Sequence, residues 1–505
     1  MIGAGPGDPG LLTLRGAELL ARADIVLYDG LSNPDILAHA PTATRICVGK
    51  HGQSRIWTQD EINAEMLRHA RSGARVARLK GGDPAVFART AEEAESLRAA
   101  GISFEIVPGI TAALAAGSYA GIPITHRRYA SAVALVTGHE EPGKLESSLD
   151  WGALAQFPGT LVIYMGVTTA HIWASALISA GKSPATPAAI LRRCTLPDQQ
   201  TIHCRLDEVA QRLTPASKLR PPVIVIIGQV TQLAETMAWF ETRPLFGKTV
   251  LVTRSEQQSG ELSEPLRELG ATIAEQPAIE IGPPESWHAV DLLIQQIASY
   301  DFLVFSSRNG VQSFLDRLLC LGGDMRSLAS VKLAVVGKRT AEQLAEYHLL
   351  PDIVPSSYTA AALAECLVPL ASGKRFASIR ASRGPDNLAP SIRDAGGKVT
   401  NVVAYTHRDV IAAKPSIVEA MNRGDIDWVT VTSAAIAHSV VRLFGDALSH
   451  TKLVSLSPAI TRTIAELGHV AAAEASDTTM ASLINVIRTA ESSSSTFAMP
   501  IPHRD

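Results

Sequence analysis

The chain has 505 residues, 46% hydrophobic and 19% charged, enough for roughly three ordinary domains, which excludes collagen-like, disordered and miniprotein readings. Its 46 Lys and Arg against 49 Asp and Glu leave a net charge of −3, so nucleic acid is not an expected partner and an anionic ligand must meet a local basic cluster. Five cysteines without a Cys-x-x-Cys pair, no membrane-length apolar run, no secretory segment and no metal-ligand spacing among the histidines lead to the expectation of a cytoplasmic protein without membrane or metal partners.

The first motif is MIGAGPGDPG, a glycine-rich loop behind only two strand-forming residues, and the expectation is that its supporting strand is recorded short. The loop misses the dinucleotide fingerprint: Asp8 stands where the third glycine belongs, and Pro6 has no N–H for a pyrophosphate. It suits a neutral or cationic nucleoside, or is a plain tight turn. A strand over 23–28 then ends in Asp29, at the edge where open α/β sheets bind ligands. Asp29 reads as a ribose-binding acid, as a general base with Lys50 as basic partner, or as a strand-end cap. The strand over 75–79 runs into Gly81-Gly82-Asp83-Pro84, whose glycines permit close backbone approach and whose Asp-Pro pair is expected to cap the next helix. Pro108-Gly109-Ile110-Thr111-Ala112 makes a similar break before a small-residue helix reaching Tyr119, and strands follow over 132–137, 160–165 and 223–228. The basic pairs Arg78 with Lys80, Arg127-Arg128 and Arg192-Arg193 each read, singly, as solvated surface groups.

A punctuated stretch over 241–247 ends this series before a fresh strand at 249–253, giving expected domains 1–242 and 243–490 and a polar, disordered tail over 491–505. The second domain contains a duplication. Arg254 is echoed by Arg380, Gly270 by Gly396, Asp301 by Asp427 and Ser307 by Ser433, all at an offset of 126 residues, and Lys332-Leu333 by Lys452-Leu453 at 120. Two copies of one α/β unit imply two similar lobes and a ligand cleft.

In combination, GAGPGDPGLLTLRGAELLARADIVLYD, VGKHG, RLKGGDPAVFAR, VPGITAALAAGSYAGIPITHRRYA, VTGH and LVIYMG resemble the tetrapyrrole methylases, and RLKGGDP and GIPITHR narrow this to the uroporphyrinogen-III C-methyltransferases. The resemblance implies two α/β subdomains over 1–242, a homodimer through this half, and S-adenosylmethionine as methyl donor. It places Pro6, Gly81, Gly82, Asp83, Val86, Thr111, Ala112 and Met165 at the donor, with Cys194 where the family has a glycine in the adenosine pocket. Asp29 falls at the proton-acceptor position, Lys50 at the proton-donor position, and Arg127 and Arg128 are expected to meet substrate acetates and propionates.

The duplicated half, through GKTVLVTR, LRELGATIAEQPAIEI, YDFLVFSSRNGVQSFL, VVGKRTAEQL, VPSSYTAAALAECL and IDWVTVTS, resembles uroporphyrinogen-III synthase, a two-lobed α/β fold. That implies one lobe of 247–280 plus 408–490 and another of 281–407, Ser306, Ser307, Thr432 and Ser433 facing substrate carboxylates, and Tyr405 as the acid. The joint implication is a bifunctional enzyme that closes hydroxymethylbilane to uroporphyrinogen III and methylates it to precorrin-2, on the sirohaem or cobalamin route. The alternatives are a methylase of the same fold with another substrate, or an active methylase whose degenerate synthase half only binds tetrapyrrole.

Overall fold

The computed structural model describes residues 1–49, 57–139, 148–217, 219–384, 386 and 388–495, and Lys50 lies outside them. The chain divides into two compact units, one of Met1–Lys248 with Arg267–Thr272, the other of Thr249–Leu266 and the chain from Ile273 onward. Residues 267–272 join the first unit because Leu245 N donates to Leu269 O at 2.8 Å and Arg243 Nη1 to Arg267 O at 3.2 Å. No helix of the described residues is long and apolar enough to cross a membrane.

The first unit contains two sheets. Strands β1 (Ile2–Gly3), β2 (Ile25–Tyr28), β3 (Thr44–Cys47) and β4 (Val76–Lys80) form a parallel sheet in the order β1-β4-β2-β3, and a parallel bridge from Ile2 to Val107 flanks β1. The second sheet, ordered β5-β6-β9-β7-β8, is mixed: β5 (Val133–Thr137), β6 (Thr160–Tyr164), β7 (Pro187–Arg192), β8 (Gln200–Arg205) and β9 (Val223–Ile227). Runs such as Val-Ile-Val-Ile-Ile in β9 are buried throughout, as a strand covered on both faces requires. Strands β1, β2 and β4 each end toward a loop rich in glycine, aspartate or proline, and parallel pairing gathers these three loops along one edge.

The second unit has two lobes. Strands β10 (Thr249–Val252), β11 (Thr272–Glu275), β12 (Ile279–Gly282), β13 (Phe302–Phe305), β14 (Lys332–Val335), β15 (Arg375–Ala381), β16 (Lys398–Asp409), β17 (Trp428–Val431), β18 (Lys452–Ser455) and β19 (Ala471–Glu474) form sheets ordered β11-β10-β17-β18-β19 and β12-β16-β15-β13-β14. The sequence offsets carry β10 onto β15, β11 onto β16, β13 onto β17 and β14 onto β18, so the two sheets share one order. Each lobe, however, takes two strands from one copy and the rest from the other. The two chain crossings run side by side, since β12 pairs antiparallel with the end of β16, Ile279 opposite Asp409.

Asp409 ties this crossing to both lobes, its carboxylate accepting from Arg383 Nη1 at 2.9 Å and Arg442 Nη1 at 3.2 Å. The Arg383 hydrogen bond, reinforced by Arg442, holds its carboxyl below the usual carboxylate range. A depressed carboxylate pKa contributes stability above the unfolded value of about 3.9 and loses it as pH falls through the folded value. Asp409→Asn is therefore expected to be less stable than wild type by about 1 kcal/mol at neutral pH and equal to it in acid, in urea unfolding across a pH series.

The helix Met480–Ser495 corrects the tail that sequence sets apart from residue 491, because it continues to Ser495. Its Glu491 is buried and accepts from Trp428 Nε1 at 2.9 Å and Lys452 Nζ at 2.8 Å, which anchors the last turns. Residues 496–505 lie outside the described residues.

Candidate active sites

In the first unit, three loops meet backbone to backbone. Gly5 and Gly82 exchange N–H···O bonds of 3.1 and 2.8 Å, and a Cβ on Gly109 would lie 2.3 Å from Gly82 O, one on Gly3 2.5 Å from Gly109 N. Only glycine permits that approach. Asp83 fastens the junction, Oδ2 accepting from Gly109 N at 2.9 Å and Oδ1 from Ala85 N at 2.6 Å. This corrects the expected helix cap: Asp83 caps a turn, and the helix Thr90–Ala99 starts after Arg89, which lies in left-handed backbone with φ 53°. Asp8 is likewise engaged in structure, accepting from Gly10 N at 2.8 Å and from the Tyr119 hydroxyl at 2.8 Å.

Beside the junction, the Tyr164 hydroxyl at the end of β6 lies 2.7 Å from Thr111 Oγ1 and accepts from Ala113 N at 2.9 Å. Tyr164 shares an apolar cluster with Cys194, Val86 and Ala112. Burial pushes the Cys194 thiol up to about 11, so at neutral pH it is a small uncharged filler. Met165 follows Tyr164 in left-handed backbone, φ 54°, with its side chain half exposed.

Next to this lies a buried chain of charges. Asp29 Oδ1 accepts from Arg78 Nη2 at 2.6 Å, Arg78 Nε donates to Glu93 Oε1 at 3.1 Å, and Lys80 Nζ stands 2.7 Å from Glu93 Oε2. Glu93 is fully buried, with Arg78 and Lys80 only 3% and 2% exposed, so the surface pair that sequence suggests is an interior one. At 2.7 Å the Lys80 ammonium is in hydrogen-bonding reach of Glu93 Oε2, so each oxygen of the buried carboxylate faces a cation. Burial, then Arg78, lowers the Lys80 pKa against the pull of Glu93.

In the second unit, Ser306 Oγ donates to Ile379 O at 3.2 Å, and Ser307 Oγ accepts from Gly310 N at 3.2 Å while lying 2.7 Å from the Tyr405 hydroxyl. Burial pushes the Tyr405 phenol up, opposed by Ser307 and the charge of Arg380, which keeps it protonated at neutral pH. At the matching place in the other lobe, Ser433 caps the helix Ala434–Phe444 by accepting from Ile436 N at 3.2 Å, and Thr432 precedes it.

A model of the tetrapyrrole (corrin/porphyrin) methylases matches residues 1–210, and one of uroporphyrinogen-III synthase HemD matches 260–485. The porphyrin biosynthesis protein HemD of Ruminiclostridium josui is 36% identical over 448 residues, 88% of this chain and 88% of that one. The chain belongs to the family that joins a tetrapyrrole methylase to a uroporphyrinogen-III synthase. The uroporphyrinogen-III C-methyltransferase of Bacillus subtilis is 38% identical over 358 residues, 70% of this chain and 73% of its own. A crystal structure of uroporphyrin-III C-methyl transferase from Thermus thermophilus, complexed with S-adenyl homocysteine, is 40% identical, with a TM-score of 0.40 and coverage of 46% of this chain and 97% of that one.

Within the methylase unit, the structure gathers Gly82, Asp83, Val86, Thr111, Ala112 and Cys194 at one junction, with Pro6 and Gly81 adjoining it in sequence. It does not join Arg127 and Arg128 to that junction through any described contact; both are exposed on the turn 126–130, Arg128 lying 5.8 Å from the centre of the Tyr129 ring. Sequence reasoning missed Glu93 and Tyr164. For Glu93 a signal exists, since Thr90, Glu93 and Leu97 fall on one buried helix face, where an acid among otherwise unionised residues requires a cationic partner. In the synthase unit Ser306, Ser307 and Tyr405 come together within one lobe, apart from Thr432 and Ser433 in the other.

Proposed function

We propose that the synthase unit cyclises hydroxymethylbilane to uroporphyrinogen III and that the methylase unit transfers two methyl groups to it from S-adenosylmethionine, giving precorrin-2. The observation that carries this is the placement of Asp29, fixed by a buried arginine, on the same sheet edge as the glycine junction. The junction suits this donor. Its carboxylates and proline offer nothing to a pyrophosphate, while close backbone packing and the apolar Tyr164–Cys194 cluster suit a flat uncharged base beside a sulfonium. When bound, the donor supplies an electrophilic methyl group for a pyrrole carbon.

Pro6, the Gly81-Gly82-Asp83 turn, Val86, Thr111, Ala112, Met165 and Cys194 would hold that donor. Asp29 accepts the proton that the methylated carbon or its neighbour gives up, and Arg78 holds its carboxylate in place through Oδ1. Lys50 is assigned the opposite transfer by family position alone. Arg127 and Arg128 remain candidates for the substrate's carboxylate arms, and a dimer of methylase units in the cytoplasm is the proposed working form. In the synthase unit Tyr405 donates its proton to the departing hydroxyl of the bilane, which leaves as water, while Ser306, Ser307, Thr432 and Ser433 meet carboxylate arms.

The test gives purified full chain hydroxymethylbilane with and without S-adenosylmethionine, followed by absorbance and mass. Type III uroporphyrinogen without the donor and a doubly methylated product with it support both activities; type I isomer alone refutes the cyclisation. Tyr405→Phe is expected to slow cyclisation by up to about a hundredfold, the low end of the range for a positioned proton donor, and to leave methyl transfer intact. An unchanged isomer yield and rate would remove Tyr405 from the mechanism.

A further inference from the structure

Away from the crossing that Asp409 ties, one carboxylate of the first lobe of the synthase unit reaches across to arginines of the second. Glu261, on the helix Glu256–Glu268 of the first lobe, has Oε1 2.6 Å from Arg308 Nη1 of the second lobe, and Oε2 3.1 Å from Arg254 Nη1 of its own and 3.5 Å from Arg339 Nη1 of the other. Gln258 runs parallel to it, accepting from Arg254 Nη2 at 2.8 Å and donating to Asn309 Oδ1 at 3.3 Å across the same gap.

Each arginine follows the C-terminal end of a parallel strand: Arg254 after β10, Arg308 after β13, Arg339 after β14. That edge is where open α/β sheets take ligands. Arg308 is also the residue after Ser307, which touches Tyr405, so the cluster adjoins the proposed acid. Among the described ion pairs, three guanidiniums share this one carboxylate, which by itself leaves two positive charges unbalanced. Arg254 is 8% exposed, and neighbouring Ser255 is 7% exposed with an Oγ that has no hydrogen-bond partner among the described residues. A largely buried guanidinium in this setting needs anionic or polar partners, and a carboxylate other than Glu261 has the chemistry to supply them.

We propose that Glu261 is an internal stand-in for a ligand carboxylate: it latches the empty lobes together through Arg254, Arg308 and Arg339, and a carboxylate arm of the linear tetrapyrrole displaces it from this three-arginine site. This rests on the synthase reading above. Because the incoming group has the same chemistry as the departing one, the exchange needs no change in the site, only competition, and the latch lowers apparent affinity while it keeps an empty cleft from standing open.

Two measurements on the full chain test it. Glu261→Gln is expected to lower the KM for hydroxymethylbilane by about fivefold or more, the usual lower range for a coupling of this kind. In the ligand-free variant, amide hydrogen exchange is expected to quicken in the first turns of the helices Glu256–Glu268 and Arg308–Cys320, with protection of β13 and β17 unchanged. Glu261→Asp, which keeps the charge but shortens the reach, moves both readouts the same way and covers failure of the first variant to fold. An unchanged or raised KM with β13 and β17 still protected overturns the proposal, as does exchange that does not quicken. Should wild type make no type III isomer, the cyclisation reading has failed instead, and the exchange measurement alone decides whether the latch exists.

Discussion

Glu93→Gln is expected to destabilise the methylase unit by about 3–5 kcal/mol, the range for removing one partner from a buried ion pair. The native arrangement balances Glu93 and Asp29 against Arg78 and Lys80, and the substitution leaves two interior cations facing one partly exposed carboxylate. Arg78 cannot shed its proton, so the relief must come from Lys80, whose pKa burial already lowers. A lysine pKa depressed in the folded state means that the unfolded chain binds more protons between the two values, so stability rises with pH through that window. The defect should therefore be greatest at and below neutral pH and shrink as pH climbs toward about 10.4, the unfolded lysine value. Urea unfolding of the full chain at several pH values reads this directly. A defect that does not depend on pH would mean that Lys80 stays charged and that the loss is one of packing.

Asp29→Asn is expected to slow methyl transfer to uroporphyrinogen III by about 10²–10⁴-fold, the span typical of a positioned proton acceptor. Asparagine keeps an oxygen for Arg78 and nearly the same shape, so affinity for S-adenosylhomocysteine, measured by calorimetry, should stay at the wild-type value. The pair of readouts separates a chemical role from a structural one. Loss of affinity in parallel with rate would make Asp29 a scaffold residue, and an unchanged rate would end its candidacy. The two substitutions are also linked: Glu93 fixes Arg78 at 3.1 Å and Arg78 fixes Asp29 at 2.6 Å, so Glu93→Gln should slow methylation as well, through misplaced Asp29.

Much of the methylase junction is legible in sequence because its parts are local. Glycines that allow close backbone approach, Pro6 without its N–H, and a carboxylate after an apolar strand each state their geometry within a few residues. The charge chain is not local. Arg78 and Lys80 alternate along β4, which on a half-exposed strand would place both in water; here four of the five β4 residues are buried, and only a partner 13 to 15 residues away explains them. Glu93 hides in the acid-rich run Glu92-Glu93-Ala94-Glu95, where composition suggests a solvated face. The turn after Asp83 failed for a similar reason: its carboxylate serves Gly109, far along the chain, as well as the adjacent Ala85. In the synthase unit the duplication was readable from repeated spacing, whereas the meeting of Ser307 with Tyr405, 98 residues apart, depends on the pairing of β15 with β13 and β16.

The exchange of strands between the two copies bears on how such a unit can exist at all. A chain carrying one copy would hold the first two strands of one sheet and the remaining strands of the other, and could close neither by itself. Two such chains could close both, as a reciprocally swapped pair with twofold symmetry. Joining them end to end replaces a meeting that depends on concentration with one whose partner is always tethered nearby. It also frees the two halves to diverge: Ser307 has Tyr405 against its hydroxyl, while its counterpart Ser433 makes no such phenol contact among the described residues, an asymmetry that a pair of identical chains could not sustain.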